Sequence, residues 1–187
     1  LETVGDLSSL KEIPYEAFDG CTSLVSIGDL NNVESIANEA FSNCSALEHV
    51  DKLDKITSIG QNAFKGCTAL KSIGSLHNLE TIGQGAFGGC RSLEHVDDLY
   101  SLTRLEYDVF SHCVSLISVD CSDKLTAIGS SAFFGCKALV SIGDLSNVTS
   151  IESSVFRGCI ALKSIGNMPK LESIGMQCFM GCTALET

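Results

Sequence analysis

Residues 64–90 read FKGCTALKSIGSLHNLETIGQGAFGGC, a stretch that contains one full period of an internal repeat. Phe64 is followed 23 residues later by Phe87, and a cysteine stands three residues after each phenylalanine. The phenylalanine column consists of Phe18, Phe41, Phe64, Phe87, Phe110, Phe133, Phe156 and Phe179. The cysteine column consists of Cys21, Cys44, Cys67, Cys90, Cys113, Cys136, Cys159 and Cys182. A fixed period without insertions is typical of a solenoid, in which each repeat forms one coil.

The apolar residues within one repeat predict a coil of two short strands and a turn. Residues 23–27 and 33–36 are rich in branched apolar side chains and lie next to Gly, Asp or Asn, so we expect strands of about two to four residues. Residues 38–43 predict a helical or 3₁₀ turn on the opposite face, with Phe41 filling the core. About eight coils at about 4.8 Å each would give parallel ladders about 40 Å long.

The repeat has a recognisable consensus, which in one copy consists of Cys67, Leu70, Ile73, Leu79, Ile82, Gly83, Ala86, Phe87 and Cys90. This consensus resembles the BspA-like, or Treponema pallidum-type, leucine-rich repeat family, and the resemblance covers the whole chain. It implies a leucine-rich repeat solenoid of the β-rich α/β class. The expected shape is a right-handed curved stack of about eight 23-residue coils, with short parallel strands and helical or 3₁₀ turns on the opposite face. The resemblance also implies surface display, adhesion or protein recognition, with no activity attached to the repeat itself.

We interpret residues 1–187 as a single leucine-rich repeat domain. Leu1 already occupies the repeat position of Leu24, and Leu185 occupies the same position near the other end. Neither end has a polar capping segment, so we expect a fragment of a longer chain without caps of its own. Neighbouring repeats or subunits are then expected to cover both ends.

The composition of the chain argues against some classes of binding partner. The chain contains 12 basic and 23 acidic side chains, a net charge of −11, which argues against nucleic acid or an anionic membrane as the main partner. No run of about 18 apolar residues exists, so direct membrane insertion is not expected. We expect a protein or glycan partner with a basic surface.

The ten cysteines invite a disulfide framework, but the repeat argues for free thiols. Eight of the ten share one core position, where parallel, in-register side chains disfavour the dihedral angle of a disulfide. Each buried thiol should instead act as a weak donor to a backbone carbonyl. Cys121 and Cys178 are interpreted as core substitutions. Zinc is the alternative, but one thiol per coil offers no tetrahedral cage, so we expect neither metal nor cofactor.

Two columns of polar residues resemble a catalytic site and a metal-binding site. Serine alternates with His49 and His95 at one repeat position, but a nucleophile also needs a base held by a third group and an oxyanion hole. We therefore expect no catalytic residues and no enzyme. A second column is acidic and is interpreted as solvated turn residues, with a calcium site as the alternative; its members are Asp6, Asp29, Asp98 and Asp144.

Large apolar residues at outward-facing repeat positions mark the candidate binding surface. Val25, Ile117 and Val140 occupy a position that carries Glu48 or Lys71 in other repeats. This position alternates with the inward Leu and Ile of the first strand and should point out of the sheet. Aromatic side chains off the repeat pattern are typical of interfaces and complete the candidate surface; they are Tyr100, Tyr107 and Phe134.

Two functions remain open from these residues. The first is a recognition or adhesion module of a cell-surface or secreted protein, whose outward side chains bind a protein or glycan. The second is a structural scaffold or spacer within a larger assembly, which would be intracellular or organellar.

Overall fold

The computed structural model describes residues 1–186, and its strands form two parallel ladders that run along the stack of coils. The first ladder contains β1 (Thr3–Val4), β3 (Ser26–Ile27), β5 (His49–Val50), β7 (Ser72–Ile73), β9 (His95–Leu99), β11 (Ser118–Cys121) and β13 (Ser141–Ile142). The second ladder contains β2 (Glu12–Ile13), β4 (Ser35–Ile36), β6 (Ser58–Ile59), β8 (Thr81–Ile82), β10 (Arg104–Leu105), β12 (Ala127–Ile128), β14 (Ser150–Ile151) and β15 (Ser173–Ile174).

Each ladder consists of two hydrogen-bonded sheets, and all paired strands are parallel. The sheets have the orders β1-β3-β5-β7 and β9-β11-β13 in the first ladder, and β2-β4-β6-β8 and β10-β12-β14-β15 in the second. The register follows the repeat, since Val4 lies opposite Ile27 and Ile13 lies opposite Ile36. The structure is therefore a parallel β-solenoid.

The stack has about seven complete turns rather than the eight coils expected. Seven strands form the first ladder among residues 1–186. Ser164 and Ile165 occupy the next first-ladder position but form no strand. The expected eight-coil count is thus not confirmed, and the handedness and curvature of the stack stay predictions.

The expectation of helical or 3₁₀ turns on the opposite face is not confirmed either: residues 1–186 contain no helix, and these segments are hydrogen-bonded turns. Each coil enters the left-handed backbone region there, as at Glu39 and Asn43, which both have φ of 58°. Such residues interrupt the run of right-handed dihedral angles that a helix needs. The Phe41 amide donates to the carbonyl oxygen of Ala63 in the next coil at 2.8 Å, so backbone hydrogen bonds join coils instead of closing a helix.

Stacked phenylalanine rings run through the core. Neighbouring rings in the column have centroids 5.1 Å apart for Phe18 and Phe41, and 5.7 Å apart for Phe87 and Phe110. The six inner phenylalanines are fully buried, whereas Phe18 and Phe179 at the two ends are partly buried. Offset stacking in a dry interior adds to the burial of each ring, so the column forms a continuous apolar axis.

One irregularity shows how the stack adapts to a substitution. Ser122 occupies a repeat position that holds a buried leucine, such as Leu99, in neighbouring coils. The register shifts between Val119 and Cys121, so that Cys121 pairs with Leu99. Cys121 is consequently 6% exposed, and this bulge restores an apolar side chain to the core where the leucine is missing.

Candidate functional site

In each coil, two exposed residues of the first ladder lie between two residues that face the core. Leu24 is buried, Val25 and Ser26 are exposed, and Ile27 packs partly buried against the core. The first-ladder face is the surface formed by the two outward positions of every coil. Its members are Glu2, Thr3, Val25, Ser26, Glu48, His49, Lys71, Ser72, Glu94, His95, Ile117, Ser118, Val140, Ser141, Lys163, Ser164 and Glu186.

Several polar residues on this face pair with one another across coils. Lys71 Nζ lies 2.7 Å from Glu48 Oε2, and this contact lowers the pKa of the Glu48 carboxyl. His49 Nδ1 lies 2.8 Å from Ser72 Oγ, and an equivalent contact of 2.9 Å joins His95 to Ser118. The polar part of the face thus has many of its hydrogen-bonding groups occupied by neighbours.

Ile117 and Val140 are the apolar members that lie side by side. The Val140 amide donates to the Ile117 carbonyl oxygen at 2.9 Å, which places the two residues in adjacent coils. Their side chains are 39% and 36% exposed. Glu94 and Lys163 occupy the same position in the flanking coils. The pair forms a small apolar spot with a charged residue on each side.

Val25 lies apart from this spot. It is 43% exposed and occupies the equivalent position four coils before Ile117, about 19 Å away at the spacing of stacked strands. Its direct neighbour along the ladder is Glu48, whose amide donates to the Val25 carbonyl oxygen at 3.2 Å. The structure therefore separates Val25 from Ile117 and Val140.

The three aromatic candidates lie in three other places. Tyr100 is exposed beside the end of β11, with its hydroxyl 3.5 Å from Asp120 Oδ2. Tyr107 follows the second ladder, and the Arg104 guanidinium lies 5.8 Å from the centre of its ring. Phe134 lies on the turn side of the coil. The six candidate residues therefore do not form one site, and only Ile117 and Val140 are direct neighbours.

A serine, a histidine and a carboxylate line up on the first-ladder face without forming a catalytic triad. His49 contacts Ser72 through Nδ1, but its Nε2 is 3.9 Å from Glu48 Oε2, beyond hydrogen-bond range. Glu48 is engaged by Lys71. The group lies on an exposed sheet surface, and nothing holds the histidine as a base.

The buried part of the cysteine column is apolar and hydrogen-bonded rather than reactive. All ten cysteines are free thiols, and Cys21 and Cys182 are the two that are partly exposed. Burial raises the pKa of Cys113 and of Cys159 to about 12, so these thiols stay protonated at neutral pH. Within residues 1–186, no group of three or more potential ligand side chains is arranged to hold a metal ion.

Three members of the acidic column cap turns, whereas Asp98 Oδ2 accepts a hydrogen bond from Ser75 Oγ at 2.7 Å. Asp6 Oδ1 accepts the Ser8 amide at 2.7 Å, and Asp144 Oδ1 accepts the Ser146 amide at 2.8 Å. Hydrogen bonds from these serines lower the pKa of both aspartates. Asp29 makes the same contact with Asn31 and also pairs with Lys52 Nζ at 2.9 Å. These carboxylates therefore have structural roles in the loops after the first ladder.

A polar cluster that links three coils could not be found from the repeat alone. Arg104 Nη2 donates to Glu152 Oε1 at 2.5 Å, across two coils, and Ser130 donates to Glu152 Oε2 at 2.9 Å. Partial burial acts to raise the pKa of Glu152, but the hydrogen bonds from Arg104 and Ser130 lower it overall. In the sequence, Glu152 stands where several other coils have glycine and Arg104 stands where several have serine, and these departures from the repeat are the signs of the cluster.

The turn side carries two adjoining depressions, which sequence reasoning also missed. Their volumes are about 690 and 630 Å³, and Arg91 and His112 line both of them. Gly85 and Gly88 line the first at positions where other coils have side chains, and Gly89 lies next to them at a position that is glycine in most coils. The glycines in one coil were the available signal, but their common side is visible only once the coils are stacked.

Over residues 1–186, no helix has the length and apolar character to cross a bilayer.

Comparison with known proteins agrees with this architecture. Residues 1–117 and 58–186 match the BspA type leucine rich repeat region. The crystal structure of the T. pallidum leucine-rich repeat protein is similar, with 32% identity and a TM-score of 0.74 over 99% of this chain and 78% of that one. A leucine-rich repeat protein from Eubacterium ventriosum is 21% identical, with a TM-score of 0.65 over 100% of this chain and 44% of that one. A comparison with curated proteins finds no match. The expected resemblance is confirmed, and the chain belongs to the BspA-type leucine-rich repeat family.

Proposed function

We propose that this domain is a non-enzymatic recognition module that binds a protein or glycan through the first-ladder face. Leucine-rich repeat proteins of this family are generally interaction modules, and no enzymatic family is indicated for the chain. The proposal extends this general role to a particular surface. Because outward side chains vary between coils while the core repeats, the variable positions are where a specific partner can be distinguished.

The adjacency of Ile117 and Val140 carries the proposal. Both are branched apolar side chains at a repeat position that holds Glu or Lys at six other places in the chain, and both remain exposed. Burial of such a pair under a partner would contribute through the hydrophobic effect, and a central apolar contact with a polar rim is the usual arrangement of a protein interface. The paired polar residues around them would form that rim.

Charge supports a partner with a basic surface. The chain has a net charge of −11, and the exposed carboxylates beside the first ladder include Asp97 and Asp120. At physiological salt such charge acts over about 8 Å, which is enough to steer a basic surface during approach. An extracellular or cell-surface location completes the proposal, because display and recognition are what the family resemblance implies.

The second candidate is a scaffold or spacer, and the unbroken phenylalanine column favours it. A continuous column of stacked rings from Phe18 to Phe179 would hold two attached segments at a set distance. This role needs no partner in contact with Ile117. This role requires no binding by the first-ladder face, so one experiment separates it from recognition.

The test screens the purified domain against immobilised extracellular proteins, both basic and acidic, and against a glycan panel. Wild type should bind basic proteins or selected glycans, and Ile117→Asp with Val140→Asp should weaken that binding at least tenfold while circular dichroism shows an intact fold. Val25→Asp is the matched control, because it changes an equally exposed residue at the same position in a distant coil. Equal binding by the double variant would contradict the proposed surface, and binding to no partner would support the spacer role.

A further inference from the structure

Part of the turn side of the solenoid is basic, although the whole chain is acidic. The turn-face segments are residues 40–46, 63–69, 86–92, 109–115, 132–138, 155–161 and 178–184, which each contain the core Phe and Cys. These seven segments contain none of the 23 acidic side chains but 4 of the 12 basic ones, which are Lys65, Arg91, Lys137 and Arg157. The equivalent segment of the first coil, residues 17–23, contains Asp19, and Glu39 and Asp108 directly precede two of the seven segments. The turn side is therefore most basic in the later coils, around Lys137 and Arg157.

These four cations have no carboxylate partner among residues 1–186, and the same holds for four of the eight cations elsewhere. The Arg157 guanidinium also donates to Gln177 Oε1 at 2.9 Å. On the strand sides, Lys11 pairs with Glu34, and Lys52 pairs with Asp29. Lys71 and Arg104 also have carboxylate partners. Among the ion pairs of residues 1–186, none involves the four turn-face cations. An unpaired positive group in an acidic protein is available to an external anion.

The cations surround a groove rather than a flat surface. The turn-face groove is defined by Lys65, Arg91, His112, Phe134, Lys137 and Arg157, and it consists of the two adjoining depressions of about 690 and 630 Å³. From the coil of Lys65 to the coil of Met180 there are five coil steps, or about 24 Å. An extended peptide of about seven residues has this length. Asp108 also lines the first depression, so the most basic part is the second.

The second depression combines positive charge with apolar side chains. Its lining includes Val114, Phe134 and Met180 together with Arg91, Lys137 and Arg157. The Phe134 ring is held between two cationic or ionisable groups: His112 meets it edge-on with ring centroids 4.9 Å apart, and the Arg157 guanidinium lies 5.7 Å from its centre. A ligand that is both anionic and apolar would match this lining, whereas a purely polar polyanion would leave the apolar part unused.

His112 is held in an unfavourable backbone conformation at the junction of the two depressions. Its φ is 61°, at a position where six other coils have glycine. Asn43 is left-handed at the same repeat position, with φ of 58°, so the backbone conformation belongs to the repeat and the imidazole side chain is what distinguishes this coil. The imidazole lies over Gly135, where an added Cβ would be 3.0 Å from Nδ1. The ring therefore covers the glycine of the next coil and joins the two depressions.

From these observations we infer that the turn-face groove binds an acidic polypeptide segment that carries an apolar side chain. Its carboxylates would pair with the guanidinium groups of Arg91 and Arg157, which can bind a carboxylate in a bidentate way, and with the ammonium group of Lys137. Its apolar side chain would pack against Phe134. This site is separate from the first-ladder face and prefers the opposite charge, so the domain would hold a basic partner on one side and an acidic segment on the other.

The test selects ligands from a library of random twelve-residue peptides with the purified domain. The selected peptides should be rich in Asp and Glu, contain at least one apolar residue and lose affinity as sodium chloride is raised. Arg91→Gln with Arg157→Gln should weaken their binding at least tenfold, and Phe134→Ser should weaken it as well. Both arginine positions carry uncharged residues in other coils, so the fold should tolerate these changes.

Two matched controls make the result specific. Lys52→Gln with Lys71→Gln removes the same charge from the strand side and should leave peptide affinity unchanged within twofold. Ile117→Asp with Val140→Asp should also leave it unchanged, so the groove can be tested even if the first-ladder proposal fails. Neutral or basic selected peptides, or equal binding by the arginine variant, would overturn the inference. Tighter binding of a sulfated oligosaccharide without apolar groups would also overturn it, by identifying a general polyanion site.

Discussion

The thiol of Cys113 donates a hydrogen bond to the carbonyl oxygen of Phe87, 26 residues earlier in the chain, at 3.1 Å. The same contact recurs from Cys44 to Phe18 at one end of the column and from Cys182 to Phe156 at the other. Each link joins one coil to the coil before it. The two repeating residues are thus connected twice, through ring stacking and through the thiol, and the core holds the outward positions in register.

The phenylalanine column predicts a large energetic cost for its interruption. Phe87→Ala removes a fully buried ring that stacks on Phe64 and Phe110, so it should lower the free energy of unfolding by about 3–5 kcal/mol. Urea denaturation measures the change. Tyr100→Ala removes an exposed aromatic ring and should cost about 0.5 kcal/mol or less. If both variants lost a similar amount of unfolding free energy, the phenylalanine column would not be the packed core described above.

The buried thiols predict a loss of stability at alkaline pH. Burial raises the pKa of Cys113 from 9.0 in an exposed thiol to about 12. Above pH 9 the unfolded chain releases this proton while the folded chain keeps it, so stability is full below pH 9 and falls as the pH approaches 12. The slope contributed by one such thiol is about 1.4 kcal/mol per pH unit.

Cys113→Ala isolates this contribution, because other groups that titrate above pH 9 are common to both proteins. The variant loses packing and a hydrogen bond at every pH, but its stability should fall less steeply between pH 10 and 11, by about 1.4 kcal/mol per unit. Denaturant unfolding across this range gives both slopes. Parallel curves for wild type and variant would mean that the thiol is not buried.

The left-handed backbone at the turn glycines predicts that a larger residue there strains the backbone even where its side chain contacts no other atom. Gly89 has φ of 75°, and an added Cβ would meet no atom closer than 3.8 Å. Gly89→Ala should therefore destabilise the domain by about 1 kcal/mol through backbone strain alone. Gly5→Ala is the control, since Gly5 has open space around it and no left-handed φ; it should be neutral or slightly stabilising. An unchanged midpoint for Gly89→Ala would indicate a different turn conformation.

Electrostatic steering predicts how salt acts on recognition by the first-ladder face. For a basic partner found in the protein panel, higher sodium chloride should mainly slow association, because screening shortens the range of the acidic surface. The dissociation rate should change little, since the contact at Ile117 and Val140 is apolar. Surface plasmon resonance separates the two rates. A salt effect confined to dissociation would place charged groups, rather than these two residues, at the centre of the contact.

The sequence predicts those features that repeat and misses those that depend on neighbouring coils. The 23-residue period is sufficient for the strand positions and for the parallel register of Ile13 and Ile36. It is insufficient for the turn side, because a left-handed residue such as Glu39 carries no consistent residue type along its column. Apolar periodicity there is compatible with a helix, and only the hydrogen bonds between coils exclude one.

The candidate site shows the same division. Outward exposure of Ile117 and Val140 could be read from their repeat position, and their adjacency followed from consecutive coils. The turn-face groove could not be predicted, because the net charge describes the whole chain and does not show where Arg91 and Arg157 lie. Their lack of carboxylate partners is a property of the stacked structure. Local charge on one side of a solenoid becomes visible only after every repeat position is assigned to a side.

Thiol alkylation followed by intact-mass analysis tests the central claim, that the repeat columns stack into one continuous core. In the native domain at pH 8, alkylation should be limited to Cys21 and Cys182, which are partly exposed, and the eight buried cysteines should stay unmodified. In denaturant without reductant, all ten should react. Rapid native alkylation of Cys90, Cys113 or Cys136, or fewer than ten reactive thiols in denaturant because of disulfides, would contradict the stacked core.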